Sequence, residues 1–297
     1  MPDVLDEARF ELDWLLKMQD ANGGVYHKVT CDVFPETVMP EEETAQLIAC
    51  PISNTATGDF AAVMAKASVL YKDYDADFAA KCLDASKKAY EYLSGNMDAY
   101  GFSNPDDIVT GEYPDTIFRD ETIWAAVELY AATGDASYKK AADAIIEGSD
   151  IVNYGLGWAD VGYYALYDGG SAKANELFFN EVDKTVDQIK DNGFGVWVSP
   201  TKTFAWGSNM NIANKGMLLL MANKLKPNAD YVKYAYPDFT TAEELDAIRA
   251  KQEAAKVDIG YYGEYAVGRN LTYEQIEEKL AAGEPYVVRL KSPGEAG

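Results

Sequence analysis

The 297-residue chain is short of histidine, cysteine and positive charge, and each shortage excludes a class of function. Its one histidine, His27, stands in no recognisable motif, which argues against a serine or cysteine nucleophile with a histidine base. The three cysteines, Cys31, Cys50 and Cys82, are too widely spaced for a zinc or redox motif, so we predict buried or partly buried thiols. With 49 acidic against 26 basic residues, the net charge of −23 would repel nucleic acid and anionic membranes.

Long apolar runs and phosphate-binding glycine loops are also missing. No stretch reaches the roughly 18 uninterrupted apolar residues of a membrane span. The N-terminus, MPDVLDEARFELDWLL, is charged and amphipathic, unlike a signal peptide. Gly155-Leu156-Gly157 lacks the strand-to-helix setting of a phosphate-binding loop. As written, the sequence predicts a cytoplasmic protein that binds neither nucleic acid nor membrane, and a neutral or cationic ligand suits its charge better.

What the sequence does contain is a repeated pattern of helices joined by short polar reversals. The segment Gly111–Asp135 starts as an acidic loop, continues as a helix that Asp120 can cap, and ends at a turn through Gly134. Trp14 and Trp124 lie at the core spacing of such helices. An array of helical hairpins, and therefore an all-α fold, is the simplest interpretation. The predicted helices span 3–20, 57–71, 75–94, 120–133, 136–149, 172–191 and 212–225, with another near 163–167.

Two stretches depart from this array. Residues 30–55 read as an irregular loop with the acidic run Glu41-Glu42-Glu43, and a loop of that length is usually functional or mobile. Beyond about Tyr236 come two short, highly charged helices, 241–255 and 272–282, each beginning with a capping box. A strand-like segment, Tyr286–Leu290, follows. The end of the chain therefore predicts a small α+β appendage.

Aromatic residues and carboxylates remain to carry chemistry. Tyr113, Trp158, Trp206 and His27 lie in loops or in a short extended segment. At one end of a helical array they would line a cleft with flat faces and acids, which suits a sugar. Trp158 and Trp206 could equally be core residues, and His27 could be structural, because a histidine without a partner has no clear role.

Three acidic residues, Asp120, Glu121 and Asp160, have two interpretations. They could be ordinary surface charges. If they converge, the carboxylates would repel one another unless a hard cation that prefers oxygen ligands, calcium above all, lay among them.

Four ordered stretches, together covering roughly residues 2–230, resemble the middle of glycoside hydrolase family nine. They are PDVLDEARFELDWLLKMQDANGGVYHKVT, SNTATGDFAAVMAKASVLYKDYDADFAAKCLDASKKAYEYL, GEYPDTIFRDETIWAAVELYAATGD and FAWGSNMNIANKGMLLLMANKL. These enzymes are inverting endo-β-1,4-glucanases with an (α/α)6 toroid, mostly secreted. The resemblance implies a partial toroid over 1–230. It also implies a β-1,4-glucan cleft at His27, Tyr113, Trp158 and Trp206, and a calcium site at Asp120, Glu121 and Asp160.

The sequence departs from the family in its catalytic motifs. The family carries its catalytic base in an Asp-Ala-Gly-Asp motif, and that tetrapeptide is absent. The histidine-arginine motif and the acid glutamate expected after Leu225 are absent too. We therefore assign no catalytic residue and expect a truncated cellulase with little hydrolysis. A non-catalytic helical interaction module is one alternative, and activity through Asp59 or Asp115 is another.

Residues from about 231 to 297 resemble a different protein, an internal piece of bacterial glutamyl-tRNA synthetase. Two stretches carry this resemblance: AYPDFTTAEELDAIRAKQEAAKVDIGYYGEY and RNLTYEQIEEKLAAGEPYVVRLKSPGEAG. Both ATP-site motifs of that enzyme are missing, so we expect no aminoacylation. The sequence thus predicts a chimera of domains 1–230 and 231–297. A partial toroid would leave apolar helix faces uncovered, which predicts self-association.

Overall fold

The computed structural model describes residues 1–97, 101–148, 171–191, 197, 208–235, 239–240, 242–255, 264, 271–282 and 287–288. It divides into two compact units, Met1–Leu177 and Phe178–Gly297. This division concerns chain packing and leaves the predicted boundary near residue 230 as a prediction. Among the described residues no helix is both long and apolar enough to cross a membrane.

Helices dominate both units, and they lie close to their predicted positions. The first unit contains α1 (Asp3–Leu15), α2 (Asn54–Tyr71), α3 (Ala76–Gly95), α4 (Arg119–Thr133), α5 (Ala136–Gly148) and the start of α6 (Ala172–Lys190). The second contains most of α6 and then α7 (Ser208–Leu225), α8 (Ala229–Ala235), α9 (Ala242–Ala255) and α10 (Tyr273–Ala281). The helix expected near 163–167 lies outside the described residues.

The observed helix ends confirm one predicted cap and contradict others. Gly134 ends α4 in the left-handed conformation, with φ of 72°, as predicted. The Ser53 side chain accepts a hydrogen bond from the Ala56 amide and so starts α2 three residues before the predicted Thr57. The predicted cap at Asp120 is wrong: α4 begins one residue earlier, after Phe118, without a side-chain cap.

Inner and outer helices alternate in the first unit. Most faces of α2 and α4 carry buried residues, and α2 packs against both α3 and α4. By contrast, α1, α3 and α5 each bury one apolar stripe, which is the pattern of helices with one solvated face. Leu12, at the centre of the predicted α1 stripe, is buried in the main core. This alternation is what an array of helical hairpins requires.

Other core predictions have mixed outcomes. All three cysteines are buried and free, as predicted. Trp124 is half-buried against the core and donates a hydrogen bond to Glu128. The prediction that Trp14 is a core residue is wrong, since 41% of its surface is exposed. It lies toward the solvent side of α1.

The segment predicted as an irregular loop contains short antiparallel strands. β1 (Val25–Tyr26) pairs with β4 (Ile52–Ser53), and β2 (Val29–Thr30) pairs with β3 (Ile48–Ala49). A 3-10 turn at Pro40–Glu42 lies between them. β1 and Val29 of β2 lie in residues 25–29, which the sequence predicts to be extended, and this part of the prediction is confirmed. β3 and β4 lie in the predicted loop and were missed, because strands of two residues are too short to show alternation in a sequence.

In the second unit, a partly buried ion pair joins α6 to α7. The ammonium group of Lys215 is 2.6 Å from Glu181 and 5.4 Å from the centre of the Trp197 ring. Thr272 and Gln275 form the predicted capping box at the start of α10. β5 (Phe239–Thr240) pairs with β6 (Val287–Val288), inside the segment predicted as a strand.

Candidate functional site

Tyr113 projects from a loop whose backbone is fixed at both sides. Its side chain is 72% exposed, and its backbone is left-handed, with φ of 51°. Two residues later, the Asp115 carbonyl accepts a 2.9 Å hydrogen bond from the amide of Phe102. A Cβ atom at Gly101 would lie 1.8 Å from the same oxygen, so only glycine allows this approach. The loop therefore presents an aromatic face to solvent from a restrained base.

His27 connects this loop to the start of α2. Its Nε2 atom is 3.1 Å from the carbonyl oxygen of Tyr113, and its Nδ1 atom is 2.8 Å from Ser53 Oγ. The ring stacks on Phe102 with a centroid separation of 3.7 Å and an interplanar angle of 6°. Burial lowers the pKa of His27 below its usual value, so the ring is neutral at pH 7. Because a carbonyl can only accept, Nε2 carries the proton and Nδ1 accepts from Ser53.

Lys28, the next residue, also contacts the loop that carries Tyr113. Its ammonium group donates a hydrogen bond to the carbonyl of Gly111. It also lies 5.8 Å from the ring centre of Phe102 and 5.9 Å from that of Tyr113. These distances allow weak cation–π attraction to both rings. Two consecutive residues after β1 thus hold the loop around Tyr113.

A pocket of about 430 Å³ opens beside His27. One carboxylate, that of Asp59, lines it. The other lining residues are aromatic or aliphatic: Trp14, Leu15, Met18, Val25, Tyr26, His27, Ala56, Phe60, Val63 and Trp124. Although Asp59 as a residue is exposed, burial of its carboxyl raises its pKa to about 7, and the charges of Asp120 and Asp115 add to this effect. A flat-walled pocket with a single acid is suited to a polar ring.

Asp120 and Glu121 form an acidic pair in the first turn of α4. Burial raises the pKa of both carboxyls, and a hydrogen bond between them favours a shared proton. Asp120 Oδ1 and Glu121 Oε2 are buried without a hydrogen-bond partner in the described part of the chain. A Cβ atom at Gly58 would lie 2.5 Å from the Cβ of Glu121, so a glycine next to Asp59 lets α2 and α4 approach here. The pair presents hard carboxyl oxygen atoms, the type of ligand that calcium prefers.

Three predicted site residues cannot be placed. Trp158, Trp206 and Asp160 lie outside the described residues. Within the described ranges, no group of three or more His, Cys, Asp or Glu side chains has an arrangement that could hold a metal ion. Of the predicted calcium ligands, the structure brings together Asp120 and Glu121. Of the predicted cleft residues, it brings together His27 and Tyr113.

The supporting residues had no signal in the sequence. Ser53, Phe102 and Lys28 approach the site through contacts that span 26 to 83 positions. Asp59 was named only as an alternative carboxylate, and its convergence with Asp120 depends on the packing of α2 against α4. The Gly58-Asp59 pair was the one available hint, since a glycine inside an alanine-rich helix often marks a close contact.

One part of the chain matches a protein other than a glycosidase. Over 60 residues, or 20% of this chain, it is 55% identical to the glutamate–tRNA ligase of Clostridium beijerinckii, of which it covers 11%. This confirms the predicted resemblance of a separate segment to that enzyme.

Most of the chain matches cellulases in sequence and in structure. It is 35% identical over 252 residues to a cellodextrinase of Butyrivibrio fibrisolvens, covering 78% of this chain and 46% of the relative. It is 33% identical over 253 residues to endoglucanase D of Acetivibrio thermocellus, covering 79% and 39%. AaCel9A, solved in complex with a cellobiose-like isofagomine, superposes with a TM-score of 0.71 at 35% identity, covering 79% of this chain and 47% of that one. The chain thus spans less than half the length of these relatives.

The family assignment follows from a match along most of the chain. The helical hairpins, with inner and outer helices, correspond to part of the (α/α)6 toroid of these structures, as the sequence predicted. The profile of glycosyl hydrolase family 9 matches residues 1–243. The chain belongs to glycosyl hydrolase family 9.

Proposed function

We propose that the chain binds β-1,4-glucan on the surface that carries Tyr113. One observation carries this proposal: an aromatic ring, 72% exposed, stands on a restrained loop beside a pocket lined by aromatic residues and one acid. Sugars stack on such rings through their C–H faces, so a fixed exposed ring favours a pyranose. The names of the relatives, cellodextrinase and endoglucanase, support the same substrate class.

Hydrolysis is a separate matter, and we propose that this chain performs little or none. The Asp-Ala-Gly-Asp motif, which the family resemblance implies for the catalytic base, is absent from the sequence. Inversion needs two carboxyl groups about 6.5–9.5 Å apart with space for water. Asp59, with its pKa of about 7, is suited to donate a proton, but donation alone does not activate the water.

Asp120 and Glu121 fit a structural calcium ion. Both carboxyls are partly buried and contain an unpartnered oxygen, and burial raises the pKa of both groups. A bound cation would favour the ionised form and satisfy these oxygens. We propose that these two residues contribute ligands, with Asp160 as the third that the family resemblance implies. The ion would stabilise the start of α4 and hence the loop before it.

Calorimetric titration of the purified chain with cellohexaose, in calcium buffer, tests the glucan proposal. We expect binding by the wild type. Tyr113→Ala should weaken it about fivefold, because one aromatic contact contributes about 1 kcal/mol. Tyr74→Ala is the matched control, since Tyr74 is also exposed but lies in the turn after α2, outside the site.

Two results would argue against the proposal. Absence of wild-type binding would remove the glucan function and favour a helical interaction module instead. Equal weakening by Tyr113→Ala and Tyr74→Ala would place the sugar elsewhere.

The proposal on hydrolysis has its own test. Release of reducing sugar from a soluble mixed β-glucan would contradict it, and loss of that release in Asp59→Asn would identify a working carboxylate.

A further inference from the structure

We propose that His27 is a positioning residue, which fixes the Tyr113 ring for the sugar and makes no hydrogen bond to the sugar itself. Family resemblance alone would place His27 beside the glucan as a direct ligand. The geometry points to another role, in which the imidazole joins the start of α2 to the loop that carries Tyr113.

The hydrogen-bonding capacity of the imidazole is already used within the protein. Nε2–H donates to the Tyr113 carbonyl at 3.1 Å, and Nδ1 accepts from Ser53 Oγ at 2.8 Å. One ring face is covered by Phe102. A neutral imidazole has one donor and one acceptor, so nothing remains for a sugar hydroxyl.

Ser53 makes this connection rigid. Its hydroxyl oxygen also accepts from the Ala56 amide, and so caps α2. The hydroxyl is 3.2 Å from Thr55 Oγ1 as well. Because α2 is one of the two helices surrounded by the core, the His27 ring is fixed to the most buried part of the unit.

The Tyr113 backbone needs such a restraint. A left-handed conformation is unfavourable for a tyrosine, because its Cβ atom crowds the backbone, and a free loop would leave it. The carbonyl that His27 holds belongs to this residue, and Lys28 holds the carbonyl of Gly111 two residues earlier. Together they favour the backbone conformation in which the ring lies next to Gly111 and stays exposed to solvent.

The consequence for binding rests on the proposed glucan function. A ring that is already fixed loses little conformational freedom when a sugar stacks on it, whereas a mobile ring must be ordered first. Loss of His27 should therefore weaken glucan binding through Tyr113 alone. If His27 touched the sugar directly, its loss would act independently of Tyr113.

The first test needs no glucan. Amide hydrogen exchange is measured over residues 101–118, where the amides of Phe102, Val109 and Ile117 are hydrogen-bonded, in the wild type, His27→Ala and His27→Gln. We expect His27→Ala to speed exchange about fivefold, the effect of one lost hydrogen bond. His27→Gln should restore part of the protection, since its side-chain amide can donate where Nε2 does. Exchange in α3 serves as the internal control for global destabilisation.

The second test is a double-mutant cycle on cellohexaose affinity with His27→Ala and Tyr113→Ala. If His27 acts through Tyr113, the double variant should bind within about twofold of Tyr113→Ala, because the two losses share one contact. Losses that multiply would show direct contact and overturn the proposal. Unchanged exchange over 101–118 in His27→Ala would overturn it as well. If the wild type binds no cellohexaose, the proposed function fails, and the exchange test still decides whether His27 restrains the loop.

Discussion

At the scale of single residues, the carboxyl of Asp59 holds its proton at a pH where most aspartates are ionised. Its pKa in the folded chain is about 7, first because of burial and then because of Asp120 and Asp115, whereas an unfolded chain has a value near 3.8. The folded state therefore binds more protons between these two values. Any stability that depends on this proton is complete below the lower pKa and is lost as the pH rises through the upper one.

We predict that the melting temperature of the calcium-free protein falls between pH 4 and pH 7 more steeply in the wild type than in Asp59→Asn. The amide resembles the protonated carboxyl and cannot ionise. The melting temperature of the variant should therefore rise relative to that of the wild type as the pH increases. Thermal unfolding in EDTA at a series of pH values measures this. If the melting temperatures of the two proteins changed with pH in parallel, ionisation of Asp59 would have no effect on stability, and the prediction would be wrong. Asp77→Asn, at an exposed aspartate in the first turn of α3, is the control.

At this scale the sequence indicates local features and misses contacts with distant neighbours. It singled out Tyr113, Asp120 and Glu121 from their place between a loop and a helix, and their roles as site residues stay predictions. The role of Phe102 as a stacking partner for His27 was not, because 75 residues of chain separate the two rings. No local pattern records such a contact.

At the scale of elements, the approach of α2 to α4 depends on a glycine. We predict that Gly58→Ala lowers the free energy of unfolding by about 1–3 kcal/mol, because the new methyl group would lie 2.5 Å from the Cβ of Glu121 and force the helices apart. Chemical denaturation measures the loss. The matched control is Gly95→Ala at the end of α3, where a Cβ atom meets nothing within 4 Å. This control should be neutral or slightly stabilising, as alanine is the better helix former.

A loss in Gly95→Ala equal to that in Gly58→Ala would show that the close approach is not the cause. Calcium should also be tested in the same series, since moving Glu121 should weaken any site that includes it.

Helices were predictable here because apolar periodicity and turn residues mark them over many positions. Strand pairing between β1 and β4 was not, because each strand has two residues and its partner lies more than 20 positions away.

At the scale of the whole molecule, exposed apolar residues keep the prediction of self-association open. Phe10 is 80% exposed and Trp14 is 41% exposed, one helical turn apart on α1. We predict concentration-dependent association that Phe10→Ser reduces, because burial of two aromatic side chains removes apolar surface from water. Sedimentation velocity over a wide concentration range measures it. Tyr74→Ser is the control, and a monodisperse monomer at every concentration would refute the prediction.

The family was the most predictable property. Ordered motifs over roughly residues 2–230 indicated it, and the family match, which covers residues 1–243, confirms it. The match of a further segment to glutamate–tRNA ligase agrees with the second predicted resemblance. The chimeric origin of the chain and the boundary near residue 230 remain predictions, as do the calcium ion and the location in the cytoplasm.

The restraint on Tyr113 has a consequence for chain entropy. The hydrogen bonds that hold its loop join residues 83 and 86 positions apart, whereas each helical hairpin closes over a few residues. Closing a longer loop costs more conformational entropy, and here α2 and α3 must already be folded between the two ends. The surface that presents Tyr113 therefore depends on non-local hydrogen bonds. An excised hairpin could keep its helices, but it could not keep this surface.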